Sequence, residues 1–428
     1  MGIYKFPDNF RWGSATSAHQ VEGDNHNDWT KWEKSPARIE QLKKEGKDPA
    51  DFISGKACDS YNRYEEDFDI VKKLNQNIHR FSIEWSRIEP EEGRFDEKEM
   101  QHYVNVVKSL RDRGIEPMIT LWHFTNPVWF AEKGGFLNID SPKYFTRYVK
   151  YVVENLKDKV DLWITFNEAT TVYTGFSYLI RIWPPQDRSI LKWRRVNKNT
   201  IRAHIEAYKE IKKIYNQSPI GSFNEVQPRT SLKVEPQHPS SMSHNVEVGI
   251  AEHGSYLNTN LILRFLGVEK VFNYLYTNYF VRNAFPHCDF MGLNYYTHRR
   301  FLKKIGPKVE VESDMGWEFY PEGVYCRLLD LKRFNRPIFI TENGWPFVSD
   351  SFQLKVIKDN LFWINKAIHD GADVRGYLYW SLLDNFEWHL GYSKRFGLVE
   401  IDYKTLERRI RPSALEYSRI CKTNSLEM

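Results

Sequence analysis

The sequence predicts an α/β protein: a single (β/α)8 TIM barrel with elaborated βα loops, spanning residues 1–428. Three observations carry that prediction. Eight short apolar runs alternate with eight longer amphipathic stretches. The short runs are apolar on both faces, as strands buried in a parallel sheet are. No flexible linker or short-period repeat interrupts the alternation. A barrel exceeds the ~100–200 residues of an average domain without needing a second core.

Strands are expected over 10–18, 78–85, 116–122, 161–168, 219–225, 288–296, 337–344 and 374–382. Helical patterns occupy 61–74, 98–113, 143–157, 199–215, 268–281, 322–334, 352–370 and 413–422. In the first helix Tyr64, Phe68, Val71 and Leu74 form one apolar stripe. Pro117, Pro219 and Pro337 stand at or just before strand starts, where a missing N–H is tolerated. Gly114 and Gly371 follow helices, as C-capping glycines do. The charged segment Ser35 to Lys56 reads as an exposed insertion, and Phe223 to His253 is the most irregular stretch. A doubly wound sheet would require a glycine-rich phosphate turn after the first strand, and Gly13-Ser14-Ala15-Thr16 lacks its spacing.

Composition narrows the function. Hydrophobic residues at 41% and charged residues at 27% fit a soluble globular chain and exclude disordered and fibrous classes. The net charge of +5 is too weak and dispersed to suggest a nucleic-acid partner. No apolar run approaches the ~20 residues of a membrane helix. Met1 to Pro7 lacks the features of a secretory signal, so a cytoplasmic location is expected. Cys58, Cys288, Cys326 and Cys421 lie far apart and are expected to be reduced. No metal or cofactor is expected, because neither a paired-histidine ligand spacing nor a nucleotide loop is present. The aromatic content, 15% with 14 Trp, exceeds what a core uses and suits a cleft in which sugar C–H faces stack on rings. The sequence leaves the oligomeric state open.

A barrel places its active site at the C-terminal ends of its strands. Those ends carry Gln20 and Glu22, Arg80 and Glu84, His123, Asn167 and Glu168, Asn294 and Tyr296, Glu342 and Asn343, and Trp380. Glu168 and Glu342 end the fourth and seventh strands, which face each other across the mouth of a closed barrel. Two carboxyl groups so placed suit glycosidic cleavage: one protonates the leaving oxygen while the other attacks or activates water.

The ordered motifs then resemble glycoside hydrolase family 1, the β-glucosidase and β-galactosidase family. They are Phe10-Arg11-Trp12-Gly13, Gln20-Val21-Glu22-Gly23, Arg80 through Ile88, Leu121-Trp122-His123-Phe124, Thr165-Phe166-Asn167-Glu168 and Gly292-Leu293-Asn294-Tyr295-Tyr296. Thr341-Glu342-Asn343-Gly344, Tyr379 through Trp388 and Lys394-Arg395-Phe396-Gly397 complete the set. The resemblance implies an exo-acting, retaining β-glycosidase with Glu342 as nucleophile and Glu168 as acid/base, their carboxyl groups about 5–5.5 Å apart. It implies that Arg80 and Tyr296 hold Glu342, and that Asn294 orients the acid/base region. Gln20 and Glu387 would bind adjacent sugar hydroxyls, and His123 and Asn167 others. Trp380 would form a stacking floor, Trp388 would offer its indole N–H, and Phe396 would also line the sugar site.

Relatives that cleave 6-phosphorylated sugars carry serine where Glu387 stands. A carboxylate there would repel a phosphate dianion, so small unphosphorylated β-glycosides are the expected substrates. The sequence departs from the family pattern at Ala169, usually proline, and over 182–193 and 223–285. A transglycosidase using the same covalent intermediate, or a non-catalytic carbohydrate-binding relative, are the alternatives.

Overall fold

The computed structural model describes residues 2–217, 246–258, 267, 279–300, 313 and 315–428. Eight parallel strands close into a barrel. They are β1 (Arg11–Ala15), β2 (Ile78–Ser82), β3 (Glu116–Thr120), β4 (Leu162–Asn167), β5 (Glu247–His253), β6 (Phe290–Tyr295), β7 (Ile338–Asn343) and β8 (Val374–Trp380). Closure comes where β8 pairs with β1, setting Tyr377 opposite Trp12 and Trp380 opposite Ala15.

The main helices are α1 (Ser60–Lys73), α2 (Glu97–Asp112), α3 (Ser141–Leu156), α4 (Ile190–Asn216), α5 (Tyr279–Ala284), α6 (Glu322–Lys332), α7 (Asp350–His369) and α8 (Pro412–Thr423). Helix α2 starts where the Asp96 carboxylate accepts the Lys98 and Glu99 N–H groups. It ends at Gly114, whose φ of 71° is the left-handed conformation glycine adopts without strain. Helix α4 begins nine residues before the expected 199, because the Ser189 hydroxyl caps it by accepting the Lys192 N–H.

Two apolar layers hold the barrel. Outside, the inward faces of the helices, such as Phe145, Val149 and Val152 on α3, pack on the strands. A second cluster collects Ile78, Met118, Leu162, Ile164, Ala251, Phe290, Phe339 and Leu378 from seven strands. Alternating strand residues thus plug the barrel interior, so its mouth has a solid floor. Outside the barrel, Ile3–Lys5 pairs antiparallel with Ser425–Glu427. All four cysteines are free. Among the described residues no helix is long and apolar enough to cross a membrane.

One expectation needs correction and another refinement. The strand expected over 219–225 lies outside the described residues, and the fifth barrel strand is β5, inside the stretch read as irregular. Its sequence hides it: polar residues stand at both ends, and Gly249 interrupts the apolar run. That glycine is required by close approach, since a Cβ there would lie 2.6 Å from both the Phe290 ring and its carbonyl oxygen. The helix expected over 268–281 also lies outside the described residues, except at its end, where α5 runs.

Ser35 to Lys56 is exposed over most of its length, but it is folded and anchored by a few buried residues. It forms a helix over Pro36–Lys44 and a short 3-10 turn over Pro49–Phe52, with Leu42 and Phe52 buried. The Arg38 guanidinium lies 4.6 Å from the Trp32 ring centre and donates to the His389 carbonyl at 2.8 Å. The segment's lysines are exposed, while Arg38, Leu42 and Phe52 are buried and Phe52 lines the cavity.

After β8 the chain is tied by Asp384, fully buried, which accepts from the Gly397 N–H at 2.8 Å, Arg395 at 3.0 Å and Arg411 at 2.6 Å. Asp384→Ala leaves the buried Arg411 guanidinium uncompensated. Urea unfolding is expected to show a loss of about 3–5 kcal/mol; a loss below about 1 kcal/mol would mean the triad does not brace this loop.

Candidate active site

The site begins at Arg80, which β2 carries fully buried beneath the barrel mouth. Its Nε donates to the Thr120 hydroxyl at 3.0 Å, and its Nη1 to the Thr341 carbonyl at 3.0 Å and Glu342 Oε1 at 2.8 Å. Its Nη2 donates to Asn167 Oδ1 at 2.6 Å. One guanidinium thus links β2, β3, β4 and β7. The other oxygen of Glu342 accepts from the Tyr296 hydroxyl at 2.5 Å.

Asn294, at the end of β6, completes a second link. The Thr341 hydroxyl donates to its Oδ1 at 2.7 Å, which turns the Asn294 amide N–H groups toward Asn167 Oδ1 at 3.0 Å and Glu168 Oε1 at 2.9 Å. Glu168 and Glu342 are therefore joined by an unbroken chain of hydrogen bonds through Asn294, Asn167 and Arg80. Glu168 itself has a left-handed backbone, φ 44° and ψ 36°, and its N–H donates to the Ala251 carbonyl at 2.7 Å. Its carboxyl also faces His253, with Nδ1 at 3.6 Å.

The remaining residues form a wall. The Asn167 amide donates to His123 Nε2 at 3.1 Å, which leaves the other ring nitrogen, Nδ1, to carry the proton. His123 stays neutral, because burial first and then the Arg80 charge push its pKa well below the ordinary histidine value. Its ring stacks with Trp380 at 5.9 Å and Trp388 at 6.1 Å. Gln20, held by the Ser17 hydroxyl at 2.7 Å, donates to the Phe386 carbonyl at 2.8 Å and to Glu387 at 3.3 Å. Phe396 packs with Trp380 and Ala15 at the rim.

Ten of the twelve residues expected at the site line one cavity of about 640 Å³: Gln20, His123, Asn167, Glu168, Tyr296, Glu342, Trp380, Glu387, Trp388 and Phe396. Arg80 and Asn294 sit behind this wall and act through the residues they hold. Three other polar residues at strand ends have structural work instead. Glu22 pairs with Arg87 at 2.9 Å and accepts from Tyr103 at 2.8 Å. Glu84 accepts from Ser86 and Thr125, and Asn343 bonds to Tyr295 and Tyr377.

Sequence reasoning missed Glu252 and His253 at the end of β5, and the lining residues Trp183, Met315 and Trp317. The first two carry the same signal as the others, polar residues ending a barrel strand, but the misplaced fifth strand concealed it. Trp183 falls in the segment that departs from the family pattern. Ala169 is fully buried and opens a turn closed by the Val172 and Tyr173 N–H groups donating to the Glu168 carbonyl at 3.3 and 3.2 Å. Among the described residues no three His, Cys, Asp or Glu side chains are grouped as metal ligands.

Buried carboxyls set the electrostatics. Burial pushes Glu342 up to about 7, with Arg80 opposing that rise and Glu168 adding to it. Burial pushes Glu387 up to about 8, with the charges of Glu342 and Glu168 adding. A carboxyl that holds its proton to pH 8 when folded, but only to about 4.5 when unfolded, makes folding weaker as pH rises between those values. Glu387→Gln is thus expected to leave Tm unchanged near pH 4 and to raise stability at pH 8 by a few kcal/mol, about a few degrees. A Tm difference independent of pH would show that Glu387 is not the strained group.

The family model for glycosyl hydrolase family 1 matches residues 3–426. β-Glucosidase A of Thermotoga maritima is 36% identical, covering 100% of both chains. A β-glycosidase structure from Pyrococcus horikoshii superposes with a TM-score of 0.82 at 35% identity, over 100% of this chain and 97% of that one. A Thermotoga maritima β-glucosidase in complex with deoxynojirimycin gives a TM-score of 0.81 at 31% identity, over 99% and 100%. The chain belongs to glycosyl hydrolase family 1.

Proposed function

We propose that residues 1–428 act as one catalytic barrel, an exo-acting β-glycosidase of the β-glucosidase type that cleaves unphosphorylated glycones with retention. The observation that carries this reading is the placement of Glu168 and Glu342, from β4 and β7, on one cavity and at the two ends of one hydrogen-bond chain. The barrel's own core closes the cavity from below, which suits removal of one terminal sugar.

In the first step a Glu342 oxygen attacks the anomeric carbon. The bond to the aglycone oxygen breaks, and Glu168 delivers its proton to that oxygen. In the second step Glu168 takes a proton from water, the water oxygen attacks the anomeric carbon, and Glu342 leaves as carboxylate. Hydrogen bonds from Arg80 and Tyr296, one to each oxygen of Glu342, favour its ionised form and fix its direction. His123 lines the cavity as a neutral ring, with its Nδ1 buried and without a partner among the described residues. Trp380 offers a ring face to the sugar C–H groups. Gln20 and Glu387, joined at 3.3 Å, can each bind one of two neighbouring hydroxyls.

A panel of aryl β-glycosides tests these roles. Glu342→Ala is expected to abolish nearly all turnover on every member. Glu168→Ala is expected to lose about 10²–10⁴-fold with phenyl leaving groups and far less with dinitrophenyl, whose departure needs little proton donation. Equal losses on both would remove the acid/base assignment. Matched aryl glucosides with and without a 6-phosphate test the glycone: the unphosphorylated one should be preferred, and the opposite preference would overturn the role given to Glu387.

A further inference from the structure

Glu252 is a buried carboxyl close to the cavity that the proposed reaction does not use. It stands near the end of β5, the neighbour of β4, and is almost wholly buried. Its side chain turns toward the backbone that follows Glu168. Oε1 accepts the Thr171 N–H at 3.2 Å and lies 3.5 Å from the Thr170 hydroxyl. Those two residues form the turn that begins at Ala169.

That turn sets where Glu168 points. The positive φ of Glu168 is uncommon for a residue with a side chain, and such a conformation persists only where its surroundings hold it. On the N-terminal side the strand holds it, through the Glu168 N–H to Ala251. On the C-terminal side the turn is held partly by its own backbone and partly from outside, by Glu252. We propose that Glu252 is a positioning residue for Glu168, clamping the turn after it to β5 so that the carboxyl stays aimed at the leaving-group oxygen. The proposal rests on the acid/base reading of Glu168.

The charge state of Glu252 suits this task. Burial, and next the negative charge of Glu168, push its carboxyl up to about 8. Near neutral pH it can therefore hold the turn through a carbonyl oxygen without adding a second negative charge beside Glu168.

The test compares kcat/KM for a phenyl and a 2,4-dinitrophenyl β-glucoside, because this quantity reports formation of the covalent intermediate. Glu252→Leu is expected to lose about 10²-fold on the phenyl substrate and under about threefold on the dinitrophenyl one, the pattern of a misplaced acid. Glu252→Asp, which withdraws the oxygens from Thr171 while keeping the carboxyl, should lose in the same sense. Glu252→Gln keeps the acceptor oxygen and should retain nearly full rates. Equal losses on both substrates, or no loss on either, would overturn the proposal. Glu168→Ala is measured beside them. If it shows the steep leaving-group dependence and Glu252→Leu and Glu252→Asp do not, only the positioning role falls; if Glu168→Ala is itself flat, the acid/base reading falls and takes this role with it.

Discussion

Everything at the barrel mouth depends on a guanidinium placed where solvent does not reach. Arg80, carried on one strand, spends its donors on three others, and a charge so buried is tolerable only because each direction has an acceptor. That requirement dictates the neighbours. Asn167 must present its oxygen downward, so its amide faces His123, and Thr341 must turn Asn294 so that its amide can reach both Asn167 and Glu168. The positions of both carboxyls follow from satisfying one cation.

The cavity is accordingly under electrostatic load. Glu342 and Glu387 line it, Glu252 lies beside it, and burial raises the pKa of each. Bound sugar hydroxyls can donate hydrogen bonds to such oxygens, which favours ligand binding in proportion to what the empty site leaves unsatisfied. The aromatic walls supply the other half of recognition. His123, Trp380 and Trp388 lie face to face in near-parallel planes, a geometry that presents flat apolar surface beside polar edges.

Most of this was legible in the chain because barrel chemistry gathers at strand ends. Once seven strands were placed by their apolar runs, the residues at their ends named seven members of the cavity wall, and the family resemblance added Glu387, Trp388 and Phe396. What was not legible has physical causes. Strand β5 escaped because Gly249, needed for contact with Phe290, and the polar residues Glu252 and His253 break the apolar pattern, and with it went the neighbours of Glu168. Sequence order could not separate Arg80 and Asn294, which work from behind the wall, from residues on it, since that depends on which way each side chain points. Nor could charge counting reveal that Ser35 to Lys56 buries Leu42 and Phe52 while showing its lysines to solvent.

The account stands on Glu342 as the group that bonds to the sugar. The direct measurement is mass spectrometry of the protein after reaction with a 2-deoxy-2-fluoro-β-glucosyl fluoride, which forms the covalent intermediate faster than it releases it. The account predicts one added fluoroglucosyl group, on the peptide that contains Glu342. An adduct on Glu168 or Glu387, or continued turnover with none at all, would contradict it.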